Sequence, residues 1–355
     1  MTVSAMASLA LTLVIALAGG AIATFLELPV GWLLGSAIAV TIASLSGVRT
    51  RLPNALRNIT FVVLGAQAGA GVSPDVLGQI AVWPLSFAIQ MVGVAGVIAL
   101  TYLFLRRSFG WDMETALFAS LPGAMSFVLA AASETKADMA RITVVQSVRL
   151  MLLLGALTPT LAWLEGESSA QAVARGGHAG SLLEFAYLIG ACLLGAVLGT
   201  LAKVPGGLML GALVGSALMH VTGVAQIAIP LWVSTPALVM LGTIIGGRIR
   251  REHRAELLQL LPASLGAFAI GLGVSSLAGM LAHGILDISF GKLALAYAPG
   301  ALEALTTLAF QFNFDPAYVA AHHVVRFVGI ALLVPVLARR VPSARADVPD
   351  WRKDS

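Results

Sequence analysis

Charge is what this chain has little of. Asp, Glu, Lys and Arg make up 11% of its 355 residues, against roughly a quarter in a soluble domain. So few charged side chains could not cover a water-exposed surface. Cysteine occurs once, at Cys192, which excludes an intrachain disulfide and a Cys-based metal site. No Gly-x-x-x-x-Gly-Lys-Ser/Thr run is present, so the chain has no phosphate loop for ATP-driven work. His-x-x-x-His pairs and Cys-rich clusters are missing too, so we expect no metal and no cofactor. No soluble stretch is long enough for a DNA-binding domain, and no nucleic-acid partner is expected.

What fills the chain is apolar, 58% of the residues. Runs of about 17–25 residues recur, each long enough to cross ~30 Å of hydrocarbon as a helix. This pattern predicts an all-α polytopic membrane protein with the lipid bilayer as its first partner. The opening stretch, Met1 to Ala23, lacks the basic flank of a secretory signal and reads as a permanent first helix.

Two stretches nearly repeat each other. Pro122-Gly123-Ala124-Met125 opens one that ends in Gln146-Ser147-Val148-Arg149, and Pro299-Gly300-Ala301-Leu302 opens another that ends in His323-Val324-Val325-Arg326. The prolines and the arginines both lie 177 residues apart. Weaker matches extend this register, among them Gly19 with Gly195, Gly35 with Gly211 and Leu64-Gly65 with Leu241-Gly242. The expected organisation is one membrane repeat over 1–165, a linker over 166–180, a second repeat over 181–340 and a disordered tail over 341–355. Each repeat holds six apolar segments, at about 5–25, 30–47, 58–73, 79–105, 115–133 and 140–163 and then about 182–201, 206–222, 230–247, 259–283, 293–310 and 317–338.

Six crossings per repeat would make the repeats parallel; an odd number would invert them. Setting aside Arg149, Arg326 and three basic residues of the tail leaves 16 Lys and Arg in loops. Twelve crossings divide these nine to seven between the two sides, whereas letting each Pro-Gly segment enter and leave on one side divides them fourteen to two. Because cytoplasmic loops concentrate Lys and Arg, the second arrangement is favoured. It has two inverted repeats of about five spans, each with a broken or re-entrant Pro-Gly segment, in the inner (plasma) membrane with both termini cytoplasmic. Lys292 and Arg175 are the two outside charges in this scheme.

Broken segments at matching places in two halves are the best sequence pointer to a transporter's binding site, and ionisable groups at membrane depth mark function by their cost. The candidate substrate or coupling-ion residues are therefore Pro122, Gly123, Ser126, Gln146 and Arg149 in the first half. In the second they are Pro299, Gly300, Glu303, His322, His323 and Arg326. Each arginine could contact an anion, or pin its helix to carbonyls freed by the break. Glu303 could take a cation or proton, cap its helix, or pair with Arg326. The histidines could carry protons or serve in packing. Asp138 and Asp315 read as helix caps, and the small residues of Leu33-Leu34-Gly35-Ser36 and Met209-Leu210-Gly211-Ala212 as close-packing positions. The Gly-rich spans would also suit a homodimer.

The repeated Pro-Gly-Ala-Leu/Met-Glu/Ser pattern, followed in the second half by Asp315-Pro316, His322-His323-x-x-Arg326 and a later proline, resembles the AbrB-type duplicated membrane family. Its members carry labels such as AbrB-family regulator and ammonia monooxygenase. The first half departs from the pattern at Ser126 and at Val145-Gln146. The family is distantly similar to the cation/proton antiporter and bile-acid/sodium symporter superfamily, which implies inverted repeats and crossed broken helices. The resulting expectation is a secondary transporter, not an enzyme. It would move a small organic solute, anionic where the arginines contact it, by ion- or proton-coupled alternating access. The alternative is a membrane-embedded sensor that regulates gene expression indirectly without turnover. An oxygenase is disfavoured by the missing metal ligands.

The linker's sidedness tests the inverted arrangement. With Cys192→Ala as background, Ser169→Cys is expected to react with an impermeant thiol reagent on intact cells; protection until the cells are opened would make the repeats parallel.

Overall fold

The computed structural model describes residues 3–72, 80–123, 125–165, 181–225 and 227–338. Among them are fourteen α-helices. The first seven are α1 (Val3–Phe25), α2 (Gly31–Leu45), α3 (Asn54–Ala70), α4 (Trp83–Phe109), α5 (Met113–Ser120), α6 (Met125–Ala132) and α7 (Met139–Glu165). The others are α8 (Leu182–Leu201), α9 (Gly207–Val221), α10 (Leu231–Gly246), α11 (Arg254–Leu286), α12 (Phe290–Tyr297), α13 (Leu302–Gln311) and α14 (Pro316–Ala338). The helices fall on the apolar segments of the sequence, except that the segments at 115–133 and 293–310 are each split into two short helices. Residues 166–180 and 341–355, read as linker and tail, lie outside the described residues.

Six helices are long and apolar enough to cross a membrane, and α2, α9 and α10 are shorter apolar helices. The expected minimum of about 17 residues thus fails for these three, which have 15, 15 and 16. Apolar side chains on the outer faces of α1 (Leu11, Val14, Ile22) and α8 (Leu193, Leu194, Leu198) are exposed. A surface of that kind is stable against lipid and not against water, so the protein is a multi-pass membrane protein.

Proline alone does not break these helices. Pro159, Pro236 and Pro262 lie inside α7, α10 and α11, where neighbouring groups in a membrane bundle can re-satisfy the lost backbone bond. The three Pro-Gly pairs, at 122–123, 205–206 and 299–300, all lie between helices. Gly123 (φ 81°) and Gly206 (φ 66°) adopt the left-handed conformation that glycine enters without a Cβ penalty. Left-handed residues also recur in register: Glu27 and Lys203, Val30 and Gly206, and Gly47 and Gly223 are each 176 apart, and Gly110 and Asp287 are 177 apart.

Packing sorts the helices into two groups. In the first, α1 lies on α2, α2 on α10, α10 on α3, α3 on α9 and α9 on α8; in the second, α11 packs on α4, α7 and α12, with α5, α6, α13 and α14 completing the bundle. A buried cluster joins the groups, with Leu33, Leu64, Met209 and Leu241 from the first and Leu153, Leu295, Leu308 and Tyr318 from the second. Within the first group backbones approach closely at small residues. A methyl on Gly35 would overlap the Gly19 carbonyl, and one on Gly211 would overlap the Gly195 carbonyl. The small-residue runs therefore act in helix packing, as small residues do where lipid supplies no hydrophobic drive between helices.

Gly211→Leu should drive α8 and α9 apart at a cost of about 1–3 kcal/mol or more, read as a fall in the melting temperature of the detergent-purified protein. Gly190→Leu on α8, where added atoms meet open space, should leave it nearly unchanged.

Candidate functional site

Breaking a helix in an apolar interior frees carbonyls at the end of one half and N–H groups at the start of the other. Leu121 caps the C-terminus of α5 and Ala298 that of α12. Arg149 on α7 donates from Nη2 to the Leu121 carbonyl at 3.0 Å. Arg326 on α14 donates from Nη1 to the Ala298 carbonyl at 2.5 Å and from Nη2 to the Gly300 carbonyl at 2.6 Å. Both arginines are 3% exposed. One turn earlier, Gln146 donates from Nε2 to the Phe118 carbonyl at 3.2 Å. His323 turns toward the corresponding carbonyl of Leu295, although neither ring nitrogen attains hydrogen-bond geometry. The arginines thus do pin broken helices, and each places a positive charge at a helix C-terminus, where the dipole favours it.

The two breaks meet. A Cβ built on Gly123 would lie 2.9 Å from Nη2 of Arg326 and 3.4 Å from the Gly300 carbonyl, so the first break reaches the second at Gly123, whose left-handed φ of 81° also favours glycine. Around the meeting point is a cavity of about 360 Å³, within the usual range for small-ligand sites. Of the candidate residues, Pro122, Gly123, Gln146, Arg149, Pro299, Gly300, Glu303, His323 and Arg326 line it. The third Pro-Gly pair, Pro205-Gly206, and Arg248 also line it, so the cavity lies between the two helix groups. Ser126 is on α6, and its side chain is outside the described ones.

Glu303, in the first turn of α13, is half-buried and makes no ion pair with Arg326. Its carboxylate acts electrostatically on Arg248, in the turn after α10. Burial lowers the Arg248 pKa from its ordinary value, and the Glu303 carboxylate raises it again. Met125, Phe127, Leu150, Leu302 and Phe327 give the cavity its apolar walls.

His322 does not line this cavity. Its Nδ1 lies 2.8 Å from the Tyr318 carbonyl and so carries the proton, which leaves Nε2 to accept from Ser86 Oγ at 2.8 Å. Ser86 also meets the hydroxyls of Tyr297 and Tyr318, and Tyr297 donates to the Ser86 carbonyl at 2.8 Å. Beside this cluster Lys292 pairs with Asp315 at 3.3 Å and lies over the Tyr318 ring. Lys292, placed outside the membrane in a loop by the charge count, is instead a buried residue of α12. Its burial follows from the carboxylate waiting across the gap. Asp315 and Asp138 cap their helices, accepting from Ala317 and Tyr318 and from Ala140 and Arg141.

Arg248, Pro205-Gly206, Ser86, Tyr297 and Tyr318 were not among the sequence candidates. Pro205-Gly206 was visible as the third Pro-Gly pair of the chain. Ser86 and Arg248 carry no local signal and are brought in by tertiary packing. Among the described residues no group of three or more His, Cys, Asp or Glu side chains is close enough to hold a metal ion.

A family model described as "Transition state regulatory protein AbrB" matches residues 32–342. A protein of Escherichia coli (strain K12) named "Putative regulator AbrB" is 27% identical over 322 residues, covering 88% of this chain and 90% of that protein. A protein of Bacillus subtilis (strain 168) named "Uncharacterized protein YhjN" is 23% identical over 352 residues, covering 92% and 91%.

Lys292→Met should leave the Asp315 carboxylate buried without its ion-pair partner, at about 3–5 kcal/mol. The double variant Lys292→Met/Asp315→Asn should recover most of that loss, since asparagine still caps α14. Thermal unfolding of the purified single and double variants reads both.

Proposed function

The chain belongs to the AbrB family of membrane proteins, and from that premise we propose that it is a secondary transporter moving a small organic anion by ion- or proton-coupled alternating access. One observation carries the reading. Two buried guanidiniums, on α7 and α14, face a single cavity with backbone carbonyls as their hydrogen-bond partners and, among the described residues, no carboxylate bonded to either. An arginine at membrane depth costs at least ~2.5–3.5 kcal/mol on insertion scales. Two at one cavity are better accounted for by an anion that arrives there than by packing.

In this reading the halves are inverted copies, each about five spans and a broken segment, with both termini cytoplasmic in the inner membrane. Several observations support it. The bonds Arg149 to Leu121 and Arg326 to Ala298 each span 28 residues and recur 177 residues apart. The left-handed residues recur in nearly the same register. Each packing group takes corresponding helices from both halves: α1–α3 with α8–α10, and α4–α7 with α11–α14. Rocking of one group against the other would open the cavity to either side in turn.

Coupling has two candidate groups. Glu303 could take a cation at the cavity. His322 could take a proton at Nε2, which would force the Ser86 hydroxyl to turn from donor to acceptor. The regulator names of the family and of the E. coli relative favour a second reading, a membrane sensor that binds the same anion without turnover.

Proteoliposomes discriminate the two. Uptake of a labelled organic acid should follow an imposed proton or sodium gradient, collapse with the matching ionophore, and fall at least ~100-fold in Arg326→Gln, since buried charge contacts are worth several kcal/mol. Tight binding without flux under any gradient would leave the sensor.

A further inference from the structure

We propose that the solute carries two negative charges on separate carboxylates, a short dicarboxylate held with one carboxylate on Arg149 and the other on Arg326. This rests on the anion-transporter reading and narrows it.

The charge inventory leads there. Among the described residues, Arg149, Arg326 and Arg248 line the cavity against one carboxylate, Glu303, which leaves two positive charges in excess among the arginine and glutamate side chains. The half-helix ends do not alter the sum. The C-termini of α5 and α12 present partial negative charge and the N-termini of α6 and α13 present partial positive charge, in equal number. A monoanion would leave one unit of positive charge uncompensated where the dielectric is low, and a dianion would leave none.

The spatial arrangement separates a dicarboxylate from a compact dianion such as phosphate. The guanidiniums sit on different helices, and each already spends one or two N–H groups on the carbonyls of its own break. A planar fork on each matches one carboxylate. The apolar side chains of Phe127, Leu150, Leu302 and Phe327 lie around the same space and suit a hydrocarbon spacer. The volume of about 360 Å³ would be mostly unfilled by inorganic phosphate.

The test is equilibrium binding to the full-length protein in lipid nanodiscs, with succinate, butyrate and inorganic phosphate as probes. Succinate should bind at least ~10-fold more tightly than butyrate, and phosphate should compete weakly. Arg149→Gln and Arg326→Gln, each checked for an unaltered size-exclusion profile, should weaken succinate at least ~10-fold and bring it level with butyrate. The wild-type ratio needs no variant, so a folding defect cannot mask the result. Equal binding of succinate and butyrate would overturn the dicarboxylate assignment while leaving an anion transporter. Binding of phosphate with no succinate binding would overturn it in favour of a compact dianion. Failure of all three probes together with failure of organic-acid flux would overturn both readings.

Discussion

Everything at the centre of this molecule follows from the cost of interrupting a helix in an apolar interior. Each break leaves carbonyls without donors, and an unpaired polar group in an apolar medium costs several kcal/mol. The chain answers with an arginine on the next long helix, 28 residues after the carbonyl it reaches. That solution creates a second problem, since it places two permanent cations in the interior. The carbonyls satisfy their hydrogen bonds without cancelling their charge. Under the proposed function, the cavity is where the remaining cost would be relieved, by an anion that comes and goes.

The two halves solve the same backbone problem with different surrounding chemistry. At the turn before each arginine, Gln146 reaches a carbonyl with a neutral amide, and His323 occupies the matching place. At the start of each half-helix pair, Thr115 accepts from the Asp138 backbone at 2.8 Å, whereas Lys292, 177 residues later, pairs with the Asp315 carboxylate. At these two positions the first half is neutral, at Gln146 and Thr115, where the second half carries His323 and Lys292. The second half also places Glu303 at the cavity, with His322, Tyr297, Tyr318 and the Lys292–Asp315 pair behind it. A coupling step that needs a proton or a cation has its groups on that side.

Much of this was legible in the chain. Apolar runs located every helix, because a membrane span must satisfy its backbone internally and so appears as an uninterrupted segment. The paired Pro-Gly and arginine positions account for six of the residues that line the cavity, because helix breaks and buried charges are both rare enough to carry information singly. What stayed hidden depends on who faces whom. Lys292 reads as a loop cation until Asp315 is seen across from it. His322 and His323 are adjacent in sequence, yet about 100° of helix rotation sends one to the cavity and the other to Ser86. Arg248 belongs to a basic cluster that the charge count treats as ordinary loop charge, and only the fold brings it to the cavity with Glu303.

The position of the third Pro-Gly pair bears on how such a cavity could move. Pro122-Gly123 and Pro299-Gly300 belong to the bundle that carries the arginines, whereas Pro205-Gly206 lies between α8 and α9 in the other group and touches the same space. Gly206 faces Leu302 and Glu303, so the opposing group approaches the cavity beside its carboxylate. A sliding of one group on the other would therefore change the surroundings of Glu303 and Arg248 first, while Arg149 and Arg326 stay fixed to the carbonyls of their own bundle. Binding and gating would then fall to different residues of one cavity. In the proposed transport cycle, that separation would let a bound anion remain held while the access to it changes.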